Sequence, residues 1–396
     1  MVLDPQDKLF IACLRLSQTE GDQMILAQLI SQVNNWDFFA EKVISNALAP
    51  LVYSNIVASG NSAAVPERIM THLKGAHTKI LGRNIFLIDL FVKIVKSFAE
   101  KDIEVIPLKG IYLLDSVYKT PGLRQMTDID LLVKDANAEK CINILAGMGF
   151  KKCENFKTGF IRLHQDSKHL PAMSFMGVPV EVHTNLLPVD FKYNVNIAGY
   201  WQKAHHEVIH GVNVLALLPN DLLQYLCVHL DYHLSYSMVL LNPFCDISEV
   251  LRKFRNEINW QLFEESCDQC NCSHNVFNIL YVVHKYLNAP LPDNIAGKAA
   301  DGQNSITEKL FILKIQGKYD EISKLKSVSN IRMLKKIKGT KNKVRYLLED
   351  IFPGRAFMYK RYHIKYKPLV YWYYLVRIKT GVAGLFSHLF RAKIDF

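Results

Sequence analysis

Apolar residues in the first hundred positions recur every three or four residues, a pattern typical of helices that bury one face. The longest such stretch runs from Ile80 to Phe98 without a proline, so we predict one long buried helix that ends near Glu100. Short runs rich in β-branched residues follow, and they predict strands at 103–107 and 128–133. Each predicted strand is followed by a predicted helix, at 111–118 and 136–147.

Two hairpins are predicted farther along the chain. The first covers 173–183 around Met176-Gly177, with three valines on one face and Glu181 and His183 on the other. The second covers 206–218 around 211–213, and the helical pattern returns from Asp221 to about Leu287. This order predicts an α+β protein, in which a small mixed β-sheet core is flanked by N- and C-terminal helical regions.

We divide the chain into four parts on this basis. They are an N-terminal helical region at 1–102, the sheet-containing core at 103–218, a helical region at 219–330, and a basic, aromatic-rich C-terminal region at 331–396. The net charge of +11 is unevenly distributed, because residues 331–396 carry +13 and the remainder carries −2. A hydrophobic content of 49% with 21% charged residues is typical of an ordered globular protein.

Targeting and redox features predict a cytoplasmic protein. The eight cysteines lie mostly in apolar stretches, so we expect reduced, packed thiols. The first residues contain acids and a proline where a signal peptide would have lysines, so no export is expected. The most apolar C-terminal stretch, Pro368–Val376, is about half as long as a membrane span, and we therefore predict no transmembrane helix.

Three carboxylates occur where strands would bring them together. Asp128 and Asp130 are separated by one residue in a predicted strand, so their side chains point to the same face. Glu181, in a later predicted strand, would complete the group. Hard divalent cations prefer carboxylate oxygens, and the three strings at 108–110, 128–130 and 180–183 therefore outline a site for metal ions and a nucleoside triphosphate.

The chain resembles the DNA-polymerase-beta-like nucleotidyltransferase superfamily, and specifically a branch of bacterial nucleotidyltransferases that is otherwise mostly helical. The residues that carry the resemblance are Leu108-Lys109-Gly110, Tyr118, Arg124, the segment 128–133 and Glu181-Val182-His183. The segments 226–230, 246–247 and 351–353 also look like that branch.

The resemblance implies transfer of a nucleoside monophosphate from an NTP to an unidentified acceptor hydroxyl by an in-line, metal-dependent reaction. It implies Mg²⁺ or Mn²⁺ bound by the catalytic residues Asp128, Asp130 and Glu181. It also implies nucleotide contacts from four residues. Gly110 would let the backbone approach phosphates, Lys109 or Arg124 would add positive charge, and His183 would support Glu181.

Two departures from the superfamily pattern favour an alternative. Ile111 follows the glycine directly, where a Ser or Gly is usual, and the interval from Gly110 to Asp128 is longer than the common one. The alternative is a catalytically degenerate nucleotidyltransferase-like protein that still binds a ligand.

A second alternative concerns the C-terminal region. Lysines between 335 and 343 precede aromatic residues between 357 and 374, a combination that suits RNA, through phosphate contacts and base stacking. It equally suits an anionic membrane surface, which would make the protein peripheral at the membrane. Amphipathic helices packed on the core would give the same pattern.

Two further groups of residues have the spacing of metal ligands. His229 and His233 lie four apart on one helical face, but Leu230 stands where zinc hydrolases have a glutamate, so packed or nucleotide-facing histidines are the alternative. Cys267, Cys270 and Cys272 with His274 offer four ligands within eight positions. Zinc sites usually bring two separated pairs, and free thiols are the alternative.

Overall fold

A computed structural model describes residues 2–16, 19–153, 170–188, 191–235 and 238–325, together with 352, 355, 358–359, 364 and 366–378. The lysines between 335 and 343, as well as Phe357 and Tyr362, lie outside the described residues. The sequence-based interpretations of that part of the C-terminal region therefore remain predictions.

The described residues of the N-terminal region form five α-helices. They are α1 (Pro5–Ala12), α2 (Glu20–Ile30), α3 (Trp36–Ser45), α4 (Ala49–Ala58) and α5 (Glu67–Ala99). Asp4 and Thr19 cap the first two, since each side chain accepts a hydrogen bond from a backbone N–H that the helix leaves without a partner. The long predicted helix is α5, and it ends directly before Glu100.

Within the described residues, the core sheet contains five strands in the order β1-β2-β5-β4-β3. They are β1 (Ile106–Leu108), β2 (Ile129–Leu132), β3 (Lys151–Lys152), β4 (Met173–Phe175) and β5 (Val178–His183). β2 pairs antiparallel with β1 and parallel with β5, so the sheet is mixed, as predicted. Every residue of β2 is buried, as is typical of a central strand covered on both faces.

Short helices and a tight hairpin turn connect the strands of the sheet. Helix α6 (Lys109–Leu113) leaves β1 without a loop and continues into a π-helical turn, Leu114–Tyr118. Helix α7 (Ala138–Gly147) follows β2. The predicted β4–β5 hairpin turns at Met176-Gly177, where both residues have the positive φ that a two-residue hairpin turn requires.

The second hairpin consists of β6 (His205–Ile209) and β7 (Val212–Ala216). Its turn is His210-Gly211, one position earlier than predicted, because these two residues adopt positive φ. The backbone N–H of Leu215 donates to the carbonyl of Val105 over 2.9 Å, which attaches the hairpin to the chain just before β1.

Seven further α-helices lie in the described residues between 191 and 325. They are α8 (Ile197–Lys203), α9 (Pro219–Ser235), α10 (Asn242–Lys253), α11 (Trp260–Gln269), α12 (Ser273–Leu287), α13 (Asp293–Ala299) and α14 (Ile306–Ile315). α9 is buried on nearly all sides and packs against α10, α11 and α12. One continuous hydrophobic core joins these helices to the sheet and to the N-terminal helices, for example through Phe39, Leu131 and Phe244.

The structure confirms the α+β class with a small mixed sheet between helical regions. None of the described helices has both the length and the apolar character that a bilayer crossing requires. The four-part division of the chain remains a prediction.

Candidate functional site

Two of the predicted carboxylates face each other across the parallel pair of strands. Asp130 of β2 is in register with Glu181 of β5, so both side chains leave the same face of the sheet. His183 lies two residues beyond Glu181 and points the same way. The ligand atoms of these three residues all lie within 4.8 Å of one another, and in the described residues no other group of three His, Cys, Asp or Glu does so.

The imidazole ring of His183 contacts the carboxylates of both Asp130 and Glu181. Its Nε2 lies 2.7 Å from Oδ1 of Asp130 and 3.4 Å from Oε2 of Glu181. His183 and Asp130 are buried, whereas the Glu181 side chain is 20% exposed at the rim. This geometry suits a residue that orients the carboxylates, while direct contact of His183 with a nucleotide remains a prediction.

The third predicted carboxylate, Asp128, lies immediately before β2. It accepts a hydrogen bond from Oγ1 of Thr127 over 3.1 Å. Burial, together with the charges of Asp130 and Glu181, raises the pKa of Asp128 to about 6 against the opposing effect of the Lys109 ammonium. Three acids that repel one another in this way form a place where a cation is favoured.

Lys109 supplies the positive charge nearest to these acids. It is the first residue of α6, has a φ of +49°, and its Nζ donates to Oδ2 of Asp130 over 3.1 Å. Burial lowers the pKa of Lys109 and the charge of Asp130 raises it, and the net result is a pKa above the usual range for lysine. The predicted phosphate ligand is thus already paired with a carboxylate.

Arg124 is also paired with an acid. Its Nε and Nη2 donate to the two oxygens of Asp246 over 2.8 and 2.7 Å, and the Tyr118 hydroxyl donates to the same carboxylate over 2.9 Å. Bidentate pairs of this kind are strong and geometrically specific. The pair joins the segment before β2 to α10.

Gly110 makes room for this arrangement. A Cβ at Gly110 would lie 2.6 Å from Nη1 of Arg124 and 3.1 Å from the side chain of Met126. The glycine therefore allows Arg124 to pack over the start of α6, in addition to any approach of the backbone to phosphates.

These residues line one cleft of about 410 Å³ between the sheet and the helices. Its walls include Ser45, Asn46, Lys109, Gly110, Arg124, Asp128, Asp130, Glu181, His229, His233, Asn242, Asp246 and Lys314. Ile111 is not among the lining residues. Its side chain is buried in the hydrophobic core, so the departure from the superfamily pattern does not fill the cleft.

The two histidines of α9 face the same cleft. Nε2 of His229 lies 2.8 Å from Nε2 of His233, so in a neutral pair one ring donates to the other. The cysteines lie elsewhere. All eight are free, and Cys267, Cys270 and Cys272 are buried near Gln224, without forming a group of three mutually close ligands in the described part of the chain.

Sequence reasoning missed part of the cleft. Asp246 lies in a segment that carries the family resemblance, but nothing in the sequence around it indicated that it would form an ion pair with Arg124. Asn46 directly follows α3 and Lys314 belongs to α14, so both are far along the chain from the motifs, and only tertiary packing brings them to the site.

A protein-family model described as an uncharacterised nucleotidyltransferase matches residues 32–288, which is more than half of the chain. The match includes every predicted catalytic and nucleotide-binding residue and ends before α14. No curated protein matches the chain.

Proposed function

The chain belongs to this family of uncharacterised nucleotidyltransferases, and from that premise we propose that it transfers a nucleoside monophosphate from an NTP to an acceptor hydroxyl in the described cleft. The observation that carries the proposal is the register of Asp130 with Glu181, together with Asp128, whose pKa is raised by the charges of both. Converging carboxylates suit Mg²⁺ or Mn²⁺, and Asp128, Asp130 and Glu181 are the residues that would hold it.

A divalent cation held there would supply neutralisation of phosphate charge for an in-line displacement. The protein's own contribution is to hold the acids in place. His183 orients Asp130 and Glu181 through its Nε2, at 2.7 and 3.4 Å. Such supporting contacts commonly fix the geometry of ligands and strengthen their binding.

Lys109 and Arg124 have different tasks in this proposal. Lys109 donates from its Nζ to Oδ2 of Asp130, and from this position its ammonium would add positive charge for the phosphates. Arg124 uses two of its nitrogens on Asp246, and Nη1, which faces Gly110, is the nitrogen that would contact the nucleotide.

Transfer of an α-labelled phosphate from each NTP tests this function. The label is followed into small-molecule, RNA and protein acceptors of a cell extract, with the full-length chain and either Mg²⁺ or Mn²⁺. We expect transfer by the wild type, none by Asp128→Asn, and wild-type transfer by Asp135→Asn, a matched change at an exposed aspartate of the same region.

Transfer that persists in Asp128→Asn would contradict the catalytic proposal. Nucleotide binding that needs neither metal nor Asp128, in a protein that transfers nothing, would support the degenerate binding protein instead.

A further inference from the structure

Among the residues that the structure describes, three Lys or Arg side chains line the cleft, and two of them are neutralised by acids. Lys109 contacts Asp130 and Arg124 contacts Asp246. Lys314 is the third, and it has no carboxylate within 4 Å in the part of the chain that the structure describes. An NTP carries several negative charges, so a cleft that binds it gains most from a cation that is not already paired.

The surroundings of Lys314 leave its charge uncompensated. The side chain projects from the end of α14 and is half-buried, with Nζ 4.7 Å from the centre of the Tyr319 ring. Burial lowers the pKa of Lys314 below its usual value. The Tyr319 hydroxyl lies 3.1 Å from Oγ of Ser45, and this hydrogen bond links Tyr319 to the end of α3. An anion beside Lys314 would offset the cost of burying the ammonium.

Asn46 gives a second, independent sign of a ligand on the same wall. It is only 7% exposed, and its Nδ2 donates to the carbonyl of Lys42 over 2.7 Å. Its Oδ1 is buried and finds no donor among the described residues, although buried acceptors are nearly always satisfied. A ligand in the cleft that carries an O–H or N–H would satisfy it.

The backbone holds Asn46 in this position. Ala47 has a φ of +60°, its N–H donates to the carbonyl of Ile44, and the N–H of Leu48 donates to the carbonyl of Val43. These two bonds form a Schellman motif that ends α3. The Asn46 side chain is therefore presented by a defined helix end rather than by a variable loop.

We propose that Lys314 and Asn46 form the distal half of the nucleotide site, where Lys314 binds a phosphate of the NTP and Oδ1 of Asn46 accepts a hydrogen bond from its ribose or base. This inference rests on the proposed function, because it assigns further ligands to the same substrate. It adds a helix that lies outside the region matched by the family model.

Calorimetric titration with Mn²⁺ and two ligands, each NTP and inorganic tripolyphosphate, tests the assignment on the full-length chain. Lys314→Met should weaken the binding of both ligands by roughly 10- to 100-fold, as expected for the loss of one charged contact. Lys309→Met, at an exposed lysine of the same helix, should leave both unchanged, and Lys314→Arg should retain most of the affinity. Asn46→Ala should weaken only the NTP, because tripolyphosphate has no ribose or base.

Thermal unfolding of each variant shows that it is folded before its affinity is compared. If the wild type binds an NTP and Lys314→Met binds it equally well, the inference is overturned and the proposed function stands. Equal weakening of binding by Lys309→Met would also overturn the inference, because the loss of affinity would then follow from the lower net charge of the protein and not from the position of Lys314. If the wild type binds no NTP with metal, both the inference and the proposed function are wrong.

Discussion

At the scale of single residues, Asp128 carries a charge that its surroundings disfavour. Its pKa of about 6 in the folded protein lies above the value of about 4 for an unfolded chain, so the neutral form is the better accommodated one. The destabilising effect of its ionisation is absent below pH 4, grows between pH 4 and 6, and is complete above pH 6.

Asp128→Asn should therefore increase stability while it abolishes activity. We expect the free energy of unfolding of the metal-free protein to rise at pH 8 by on the order of 1–3 kcal/mol, and the gain to shrink as the pH is lowered to 4.5. Urea denaturation in the presence of a chelator measures it, with Asp135→Asn as the control. A clear loss of stability at pH 8 would contradict the charge arrangement described for the cleft.

Gly110 gives a second prediction at this scale. Gly110→Ala would place a methyl group against Nη1 of Arg124 and against Met126, and Arg124 cannot move away without leaving Asp246. We expect a loss of about 1–3 kcal/mol of stability, typical of overpacking, together with loss of nucleotide transfer. Gly82→Ala is the control, since its Cβ would meet open space on α5 and should stabilise the helix by about 1 kcal/mol. Equal effects in denaturation curves of the two variants would refute the steric role of Gly110.

The sequence was informative about residues whose relation depends on local periodicity. Glu181 and His183 share a face of β5 because strand side chains alternate, and their ligand atoms lie close together as a result. Asp128 lies just before β2, so its shared face with Asp130 remains a prediction. The sequence was uninformative about Asn46 and Lys314, which line the same cleft only because helices far apart in the chain pack together. Lys109 and Arg124 were predicted as phosphate ligands, but their partners Asp130 and Asp246 could not be identified from spacing.

At the scale of elements, the Arg124–Asp246 pair joins the segment before β2 to α10. The pair is largely buried, and removing one member of a buried pair leaves an uncompensated charge. We expect Asp246→Ala to lower the free energy of unfolding by about 3–5 kcal/mol. Asp37→Ala, which removes the exposed partner of Arg68, should change stability little in the same denaturation experiment. A mild effect of Asp246→Ala would show that the pair does not hold these elements together.

The elements themselves were largely predictable, and their boundaries were not. The long helix α5 and the β4–β5 hairpin follow from apolar periodicity and from a Gly-containing turn. Strand β1 covers 106–108 rather than 103–107, because it pairs with β2 only opposite residues 130–132. The turn at 114–118 is π-helical, which no sequence pattern distinguishes from the α-helix predicted there.

At the scale of the whole molecule, one hydrophobic core fixes the sheet and the helices that together form the cleft. The C-terminal region at 331–396 differs from the rest of the chain in its strong positive charge and in its exposed aromatic side chains. Met358 and Val370 are buried, whereas Tyr366, Tyr371 and Trp372 are exposed, so its described part presents aromatic side chains to the surroundings.

Deletion of residues 331–396 tests what that region binds. Because this segment holds the charge excess of +13, we expect binding to anionic vesicles or to RNA to weaken with salt and to disappear on deletion. Sedimentation with vesicles and electrophoretic shifts with RNA measure the two cases separately. Binding that survives the deletion would assign the partner surface to the rest of the chain.

The central claim is that Asp128, Asp130 and Glu181 bind a divalent cation together with an NTP. Calorimetric titration of each NTP into the full-length chain, with Mn²⁺ and then with a chelator, tests it most directly. We expect binding that requires the metal and is lost in Asp130→Asn but kept in Asp135→Asn. Binding that is unaffected by the chelator and by Asp130→Asn would contradict it.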